Sequence, residues 1–176
     1  MAIYPIQFFI YLLTVALLVL PGCASKGHST SGVKFGMHID AVLEFVVEYP
    51  LKWKKDRRLE YGRNEGEIRW RDPTQSETLL QITSYLRGYR TNDQELARVL
   101  NQYPDLIEAQ REQVELPAGK AWHVKGETAH QHVEIYLFLE PSRTYVISLK
   151  SSAENFAGYE NLVEKIVQSF QRIAQE

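Results

Sequence analysis

The fold is decided by the stretch FVVEYPLKW, residues 45–53. The β-branched and aromatic residues from Val42 to Tyr49 favour an extended strand. Pro50 has no backbone N–H to donate to a neighbouring strand, so the predicted strand ends at Tyr49-Pro50. This strand is predicted to be the first element of the folded domain. The other elements are located relative to it.

The residues that follow show strand patterns on both sides of one helix. We predict further strands at about 67–71, 78–87, 113–116, 120–125, 131–139 and 144–150. The helix should begin after Thr91 or Asn92, because Thr91-x-x-Gln94 and Asn92-x-x-Glu95 both resemble N-terminal caps, and it should end before Pro104. The assignment of residues 105–110 stays ambiguous.

The chain closes with a predicted amphipathic helix over about 154–174. Its apolar residues recur at helical spacing, namely Phe156, Tyr159, Val163, Ile166, Val167, Phe170 and Ile173. Strand runs on both sides of a central helix, with a second helix at the end, indicate an α+β fold. The sheet should be antiparallel and flanked by helices, within a single domain over residues 37–176.

Two landmarks of this pattern resemble the PsbP-like superfamily. The strand that ends at Tyr49-Pro50 and is followed by Trp53 is similar to the opening of those domains, and Ser169-Phe170 resembles their closing helix. The superfamily includes the photosystem II extrinsic protein, a Ran-binding import factor and bacterial envelope lipoproteins. The resemblance covers about residues 37–173. It implies an α/β/α sandwich that serves as a binding or assembly module and not generally as an enzyme.

Upstream of the domain, residues 1–22 resemble a lipoprotein signal peptide. The apolar run 6–20 is shorter than the roughly 20 residues that a membrane-spanning helix needs. The tetrapeptide Leu20-Pro21-Gly22-Cys23 resembles a lipobox, in which the thiol of Cys23 accepts the lipid. Export signals normally open with a positive charge, and here no Lys or Arg precedes the apolar run. The alternative is an uncleaved signal anchor.

The segment 23–36 is predicted to be a lipidated cysteine followed by a flexible tether. It is rich in Ser, Gly, Lys and His and shows no apolar period. Ala24 follows the cysteine, which resembles the outer-membrane address of enteric lipoproteins. We therefore predict a lipid-anchored protein of the cell envelope, at the outer membrane and facing the periplasm.

Composition excludes several functional classes. Removing residues 1–22 leaves 154 of the 176 residues, and the net charge of −2 argues against a nucleic-acid partner. The single cysteine is assigned to lipid, so no intramolecular disulfide is expected. The chain lacks Gly-x-Ser-x-Gly and phosphate-binding glycine motifs. We therefore predict no enzymatic activity and no cofactor beyond the covalent acyl lipid.

A basic stretch stands out over residues 52–71, which hold eight basic and four acidic side chains. Near an anionic membrane each basic residue contributes about 1 kcal/mol of attraction. The candidate contact surface consists of Lys52, Lys54, Lys55, Arg57, Arg58, Arg69 and Arg71. The alternative is an ordinary solvated surface with local ion pairs.

Three histidines form a second candidate site. A tight turn at 126–129 would place His123 opposite His132 and Lys125 opposite His130. His123, His130 and His132 would then share one strand face, a spacing that divalent metal sites use. The alternative is an ordinary polar strand surface.

The sequence therefore predicts a membrane-anchored envelope lipoprotein that acts as a non-enzymatic binding or assembly module. Its partners should be membrane lipid, through Cys23, and an envelope protein or ligand that the sequence does not identify. The competing hypothesis is a metal-binding envelope protein that uses His123, His130 and His132.

Overall fold

The structure, a computed structural model, describes residues 32–60 and 64–173 of the chain. The strands are β1 (Phe35–Asp40), β2 (Phe45–Pro50), β3 (Lys54–Glu60), β4 (Glu65–Arg71), β5 (Leu79–Leu86), β6 (Ile107–Leu116), β7 (Gly119–Glu127), β8 (His132–Leu139), β9 (Arg143–Ser151) and β10 (Gln171–Arg172). The helices are α1 (Asn92–Leu100), α2 (Ala153–Phe156) and α3 (Glu160–Ser169).

These strands form two antiparallel sheets. The larger sheet has the order β3-β4-β5-β9-β8-β7-β6, and the smaller one has the order β1-β2-β10. Every neighbouring pair of strands in the two sheets is antiparallel. The predicted α+β class, with an antiparallel sheet flanked by helices, is confirmed.

The deciding stretch forms β2 and the turn that follows it. Phe45 and Val47 are buried while Val46 and Glu48 are partly exposed, as the alternation of a strand requires. The strand ends at Pro50 as predicted, and the carbonyl of Pro50 accepts a hydrogen bond from the N–H of Trp53 at 2.9 Å. This turn places Trp53 in the core, where it is 8% exposed.

The larger sheet is covered on both faces. On one face, Tyr145, Ile147 and Phe138 pack against α3 and the smaller sheet. On the other face, Val124 and Ile135 belong to a second cluster that α1 closes. Both sides of the central strands are therefore buried, as in an α/β/α sandwich.

Helix α1 begins where the sequence predicts. The hydroxyl of Thr91 accepts a hydrogen bond from the N–H of Gln94 at 3.3 Å, and the side chain of Gln94 accepts one from the N–H of Thr91 at 3.0 Å. This reciprocal capping box satisfies two backbone donors that have no partner within the helix. Of the two predicted caps, Thr91 is the one used.

The beginning of the domain differs from the prediction. Strand β1 starts at Phe35, inside the segment 23–36 that we assigned to a tether, and the predicted first strand is in fact β2. Strand β3 has the charged sequence KKDRRLE and lies at the edge of the larger sheet. Its lack of apolar alternation explains why the sequence gives no strand signal there. The ambiguous residues 105–110 contribute the start of β6.

The predicted terminal helix is interrupted and ends early. Its first turn is the separate helix α2, and α3 ends at Ser169 because Phe170 has an extended backbone, with φ −64° and ψ 131°. The chain then pairs with β2 through β10. The N–H of Ile173 donates to the carbonyl of Glu44 at 3.0 Å, so residues 171–173 are held against the smaller sheet.

The N-terminal segment carries the predicted signal peptide and lipidation site. The predicted signal peptide 1–22, Cys23 and Ala24 lie outside the described residues. Within residues 32–60 and 64–173, none of the helices has the length and apolar character of a membrane span.

Candidate functional site

The hairpin of β7 and β8 has a different register from the predicted one. His123 pairs with Tyr136, Lys125 with Glu134, and Glu127 with His132. The strands continue to Glu127 and His132, because the loop 128–131 closes through the N–H of Thr128 and the carbonyl of Gln131 at 2.7 Å. The predicted turn at 126–129, with His123 opposite His132, is wrong.

The three histidines do not come together. His123 is 7% exposed and stacks on Tyr136 with ring centroids 4.2 Å apart. His132 lies against Phe156 at 3.7 Å, and His130 is exposed in the loop. In the described part of the chain, no group of three or more His, Cys, Asp or Glu side chains is arranged to hold a metal ion. The predicted metal cluster is therefore replaced by separate aromatic contacts.

The basic stretch is divided between the two faces of the sheet edge. Pairing of Lys54 with Arg71 and of Arg58 with Glu67 places these side chains on the face of Arg69. The other face carries Lys55 and Arg57 beside Trp70 and Ile68, and Lys52 lies in the turn after β2. The seven candidate contact residues thus do not all lie on one face of the sheet.

Several basic side chains have local acidic partners. The guanidinium of Arg57 donates to both carboxylate oxygens of Asp40, each at 2.7 Å. The guanidinium of Arg69 lies 2.6 Å from the carboxylate of Glu67. These pairs match the alternative interpretation of local ion pairing. Whether the stretch contacts a membrane stays a prediction.

A groove of about 370 Å³ opens between α3 and strands β6, β7 and β8. It is the candidate site because charged and apolar groups converge on it. The lining residues are Val114, Glu115, Leu116, His123, Lys125, Glu134, Tyr136, Glu160, Asn161, Glu164, Val167 and Gln168. We call it the α3 groove.

Glu134 is the central charged residue of the α3 groove. Its Oε1 accepts a hydrogen bond from Nε2 of His123 at 2.7 Å and one from the hydroxyl of Tyr136 at 2.9 Å. The ammonium of Lys125 lies 3.6 Å from the same oxygen. The side chain is only 2% exposed, so these partners hold a carboxylate inside the protein.

This arrangement keeps Glu134 ionised. Burial alone would raise the pKa of Glu134, but the hydrogen bonds from His123 and Tyr136 and the charge of Lys125 outweigh it and hold the pKa below its ordinary value. The pKa of Tyr136 is raised, first by burial and then by the negative charge of Glu134. Tyr136 therefore stays protonated and donates to the carboxylate.

The second oxygen of Glu134 has no hydrogen-bond partner among the described residues. Oε2 is buried there. A buried acceptor without a donor costs about 1–3 kcal/mol, and more when it is charged. The carboxylate in the wall of the α3 groove thus has unused hydrogen-bonding capacity.

A second, larger cavity of about 610 Å³ lies near the other end of the sheet, beside Arg143. The guanidinium of Arg143 donates to the hydroxyl of Ser84 and to the carbonyl of Asn64, both at 2.8 Å, and lies 3.2 Å from the carboxylate of Glu44. These contacts tie strands β4, β5 and β9 to the β1–β2 turn. We interpret them as structural.

Glu134 and Tyr136 were not among the site residues predicted from the sequence. A signal was present, because alternation in β8 places both side chains on the face of His132, away from the apolar Val133 and Ile135. A glutamate in the middle of a strand that is otherwise apolar or aromatic is unusual enough to mark a candidate site.

The overall fold is similar to that of known structures. The solution structure of cyanobacterial PsbP (CyanoP) from Synechocystis sp. PCC 6803 matches with a TM-score of 0.62 and 9% sequence identity, covering 80% of this chain and 93% of that chain. A crystal structure from Bacteroides thetaiotaomicron VPI-5482 matches with a TM-score of 0.46 and 9% identity, over 79% of this chain and 48% of that one.

The first of these similarities confirms the PsbP-like fold that the Tyr-Pro and Ser-Phe landmarks predict. At 9% identity the similarity shows the fold alone. No family model matches the sequence, and no match is found among the curated proteins. The function must therefore be argued from the residues of the site.

Proposed function

We propose that this chain is a lipoprotein of the bacterial cell envelope whose folded domain works as a non-enzymatic binding module. The observation that carries the binding role is the α3 groove, where a buried carboxylate has an oxygen without a donor. The groove is built on the strands of a sheet that is packed on both faces, and such rigid elements hold a site precisely enough for recognition.

The lipobox supports the membrane anchor. Strand β1 begins at Phe35, so eleven residues, 24–34, separate it from Cys23. An extended chain reaches at most about 3.6 Å per residue, which limits the distance between the lipid and the domain to roughly 40 Å. Ala24 supports an outer-membrane address, and the domain would then face the periplasm. The covalent acyl lipid is the only cofactor proposed.

The chemistry of the α3 groove supports binding rather than catalysis. Its lining provides carboxylates, amides, a lysine, an imidazole and a phenol, but no Ser, Thr or Cys among the described residues. The His123 imidazole donates to Glu134, and the hydroxyl of Tyr136, the only one in the described lining, donates to the same carboxylate, so neither group is arranged as a base and nucleophile pair. These groups suit hydrogen bonding to a ligand.

The lipid anchor is tested by mass spectrometry of the N-terminus of the protein purified from membranes. We expect a chain that begins at Cys23 and carries diacylglycerol. Cys23→Ser should give an unprocessed or mislocalised protein, whereas the neighbouring Ser25→Ala should be processed normally. An unmodified Met1 or a free Cys23 thiol on the purified protein would contradict the proposal.

A further inference from the structure

The walls of the α3 groove carry an excess of negative charge. Among the described residues its lining includes the carboxylates of Glu115, Glu134, Glu160 and Glu164 and one ammonium, that of Lys125, while the ammonium of Lys120, just outside, lies 3.5 Å from Glu115. Glu112, just outside, lies 3.5 Å from Nδ1 of His123 and adds a further carboxylate. Carboxylates on β6, β8 and α3 thus converge on one space from three elements, which favours a cation there over a neutral or anionic ligand.

The buried carboxylate gives an independent indication of a ligand. Glu134 is 2% exposed, and the fold uses only its Oε1, which accepts from His123 and Tyr136. Oε2 makes no hydrogen bond to any residue in the described ranges 32–60 and 64–173. A donor from a ligand would satisfy this oxygen, and a charged donor would do so most strongly, because charge-assisted hydrogen bonds are roughly twice as strong as neutral ones.

The apolar part of the lining limits the shape of the ligand. Val114, Leu116 and Val167 line the groove between the carboxylates. Val167 is 1% exposed and belongs to the core, whereas Val114 and Leu116 pack against that core and are only partly buried, so these two offer the apolar surface on which an alkyl chain would pack. The volume of about 370 Å³ lies within the range of small-molecule sites.

We propose that the α3 groove binds an alkylammonium group, with its charged end among the carboxylates and its alkyl stem on Val114 and Leu116. This inference rests on the proposed function, because it names the ligand class of the binding module. The ammonium belongs either to a free polyamine or to a lysine side chain of a partner.

The test is a titration of the full chain, purified in a nonionic detergent, with cadaverine. Calorimetry measures affinity, and methyl NMR signals of Val114 and Val167 report whether the ligand lies in the groove. We expect saturable binding at or below about 1 mM, weakened by salt. Pentanediol, a neutral molecule of the same chain length, should not bind.

Substitutions locate the charge that matters. Glu164→Gln removes an exposed wall carboxylate, so folding should be unaffected, and cadaverine affinity should fall by at least about tenfold. Glu154→Gln, an exposed glutamate on α2 that does not line the groove, is the matched control and should leave affinity unchanged. Glu134→Gln should abolish binding if the variant folds.

Two further probes distinguish the sources of the ammonium. Spermidine that binds at least about tenfold more tightly than acetyl-lysine amide indicates a free polyamine, and the reverse order indicates a lysine side chain. Absence of saturation by any of these amines, or equal affinity in the Glu164→Gln and Glu154→Gln variants, overturns the proposal. Because Cys23→Ser leaves the groove intact, loss of anchoring and loss of amine binding are separate results.

Discussion

Replacing Phe170 with alanine should strongly destabilise the fold. The side chain is fully buried, and its ring centroid lies 5.0 Å from that of Phe138, 5.4 Å from Tyr145 and 5.8 Å from Phe45. Phe170 therefore joins the end of α3 to both sheets. Removing a buried phenylalanine ring costs about 3–5 kcal/mol, through lost burial and the cavity that remains.

The assay is equilibrium unfolding of the full chain in denaturant, followed by tryptophan fluorescence. The expected loss corresponds to a fall in Tm on the order of 10 °C for a domain of this size. Tyr89→Ala is the matched control, because Tyr89 is fully exposed, and its stability should stay within about 0.5 kcal/mol of the wild type. A loss below about 1 kcal/mol for Phe170→Ala would refute the packing of the chain end described above.

Three more predictions concern charged residues. The pKa of Glu134 is lower in the folded protein than in the unfolded chain, so its ionisation stabilises the fold above the unfolded pKa, and this contribution is lost as pH falls through the folded pKa. In Glu134→Gln the free energy of unfolding should therefore depend less on pH in the acid range. An unchanged slope of unfolding free energy against pH would contradict this. Arg57→Ala should lower the free energy of unfolding, measured in denaturant, by about 1–2 kcal/mol, because the buried carboxylate of Asp40 loses its bidentate partner. Arg58 is exposed on the same strand, so Arg58→Ala should change it little. If the basic stretch contacts a membrane, the Cys23→Ser protein should bind anionic vesicles, and this binding should weaken when salt is added or when Lys54→Glu is introduced. Equal binding to neutral and anionic vesicles would exclude that role.

The parts of the fold that could be predicted are those with a local physical cause. Pro50 ends β2 because it lacks an N–H, and Thr91 caps α1 because its hydroxyl meets Gln94 three residues later. Strand β3 could not be predicted, because an edge strand has one free side and tolerates charges that a central strand would exclude. Its pairing with β4 depends on tertiary contacts that no local pattern records.

The hairpin of β7 and β8 shows why the site was harder to predict than the fold. The observed register pairs His123 with Tyr136, four residues beyond the predicted partner His132. A register shift by an even number of residues leaves each strand side chain on the face that the alternation assigns to it. The predicted faces of the two strands are therefore correct although the predicted register is wrong. The partners across the strands changed, and with them the predicted cluster. The face of a strand side chain can be predicted from the period of two alone. Its partner on the neighbouring strand can be predicted only if the length of the connecting loop is known.

Glu134 links this register to function. Pairing with Lys125 places the carboxylate of Glu134 beneath α3, where one oxygen accepts hydrogen bonds from His123 and Tyr136. An uncharged glutamine oxygen could accept the same two hydrogen bonds without the cost of burying a charge. The packing of the domain, with the ammonium of Lys125 3.6 Å from Oε1, nevertheless accounts for Oε1 and for the charge, but not for Oε2, which has no hydrogen-bond partner among the described residues. The cationic ligand proposed for the α3 groove would supply the donor that Oε2 lacks.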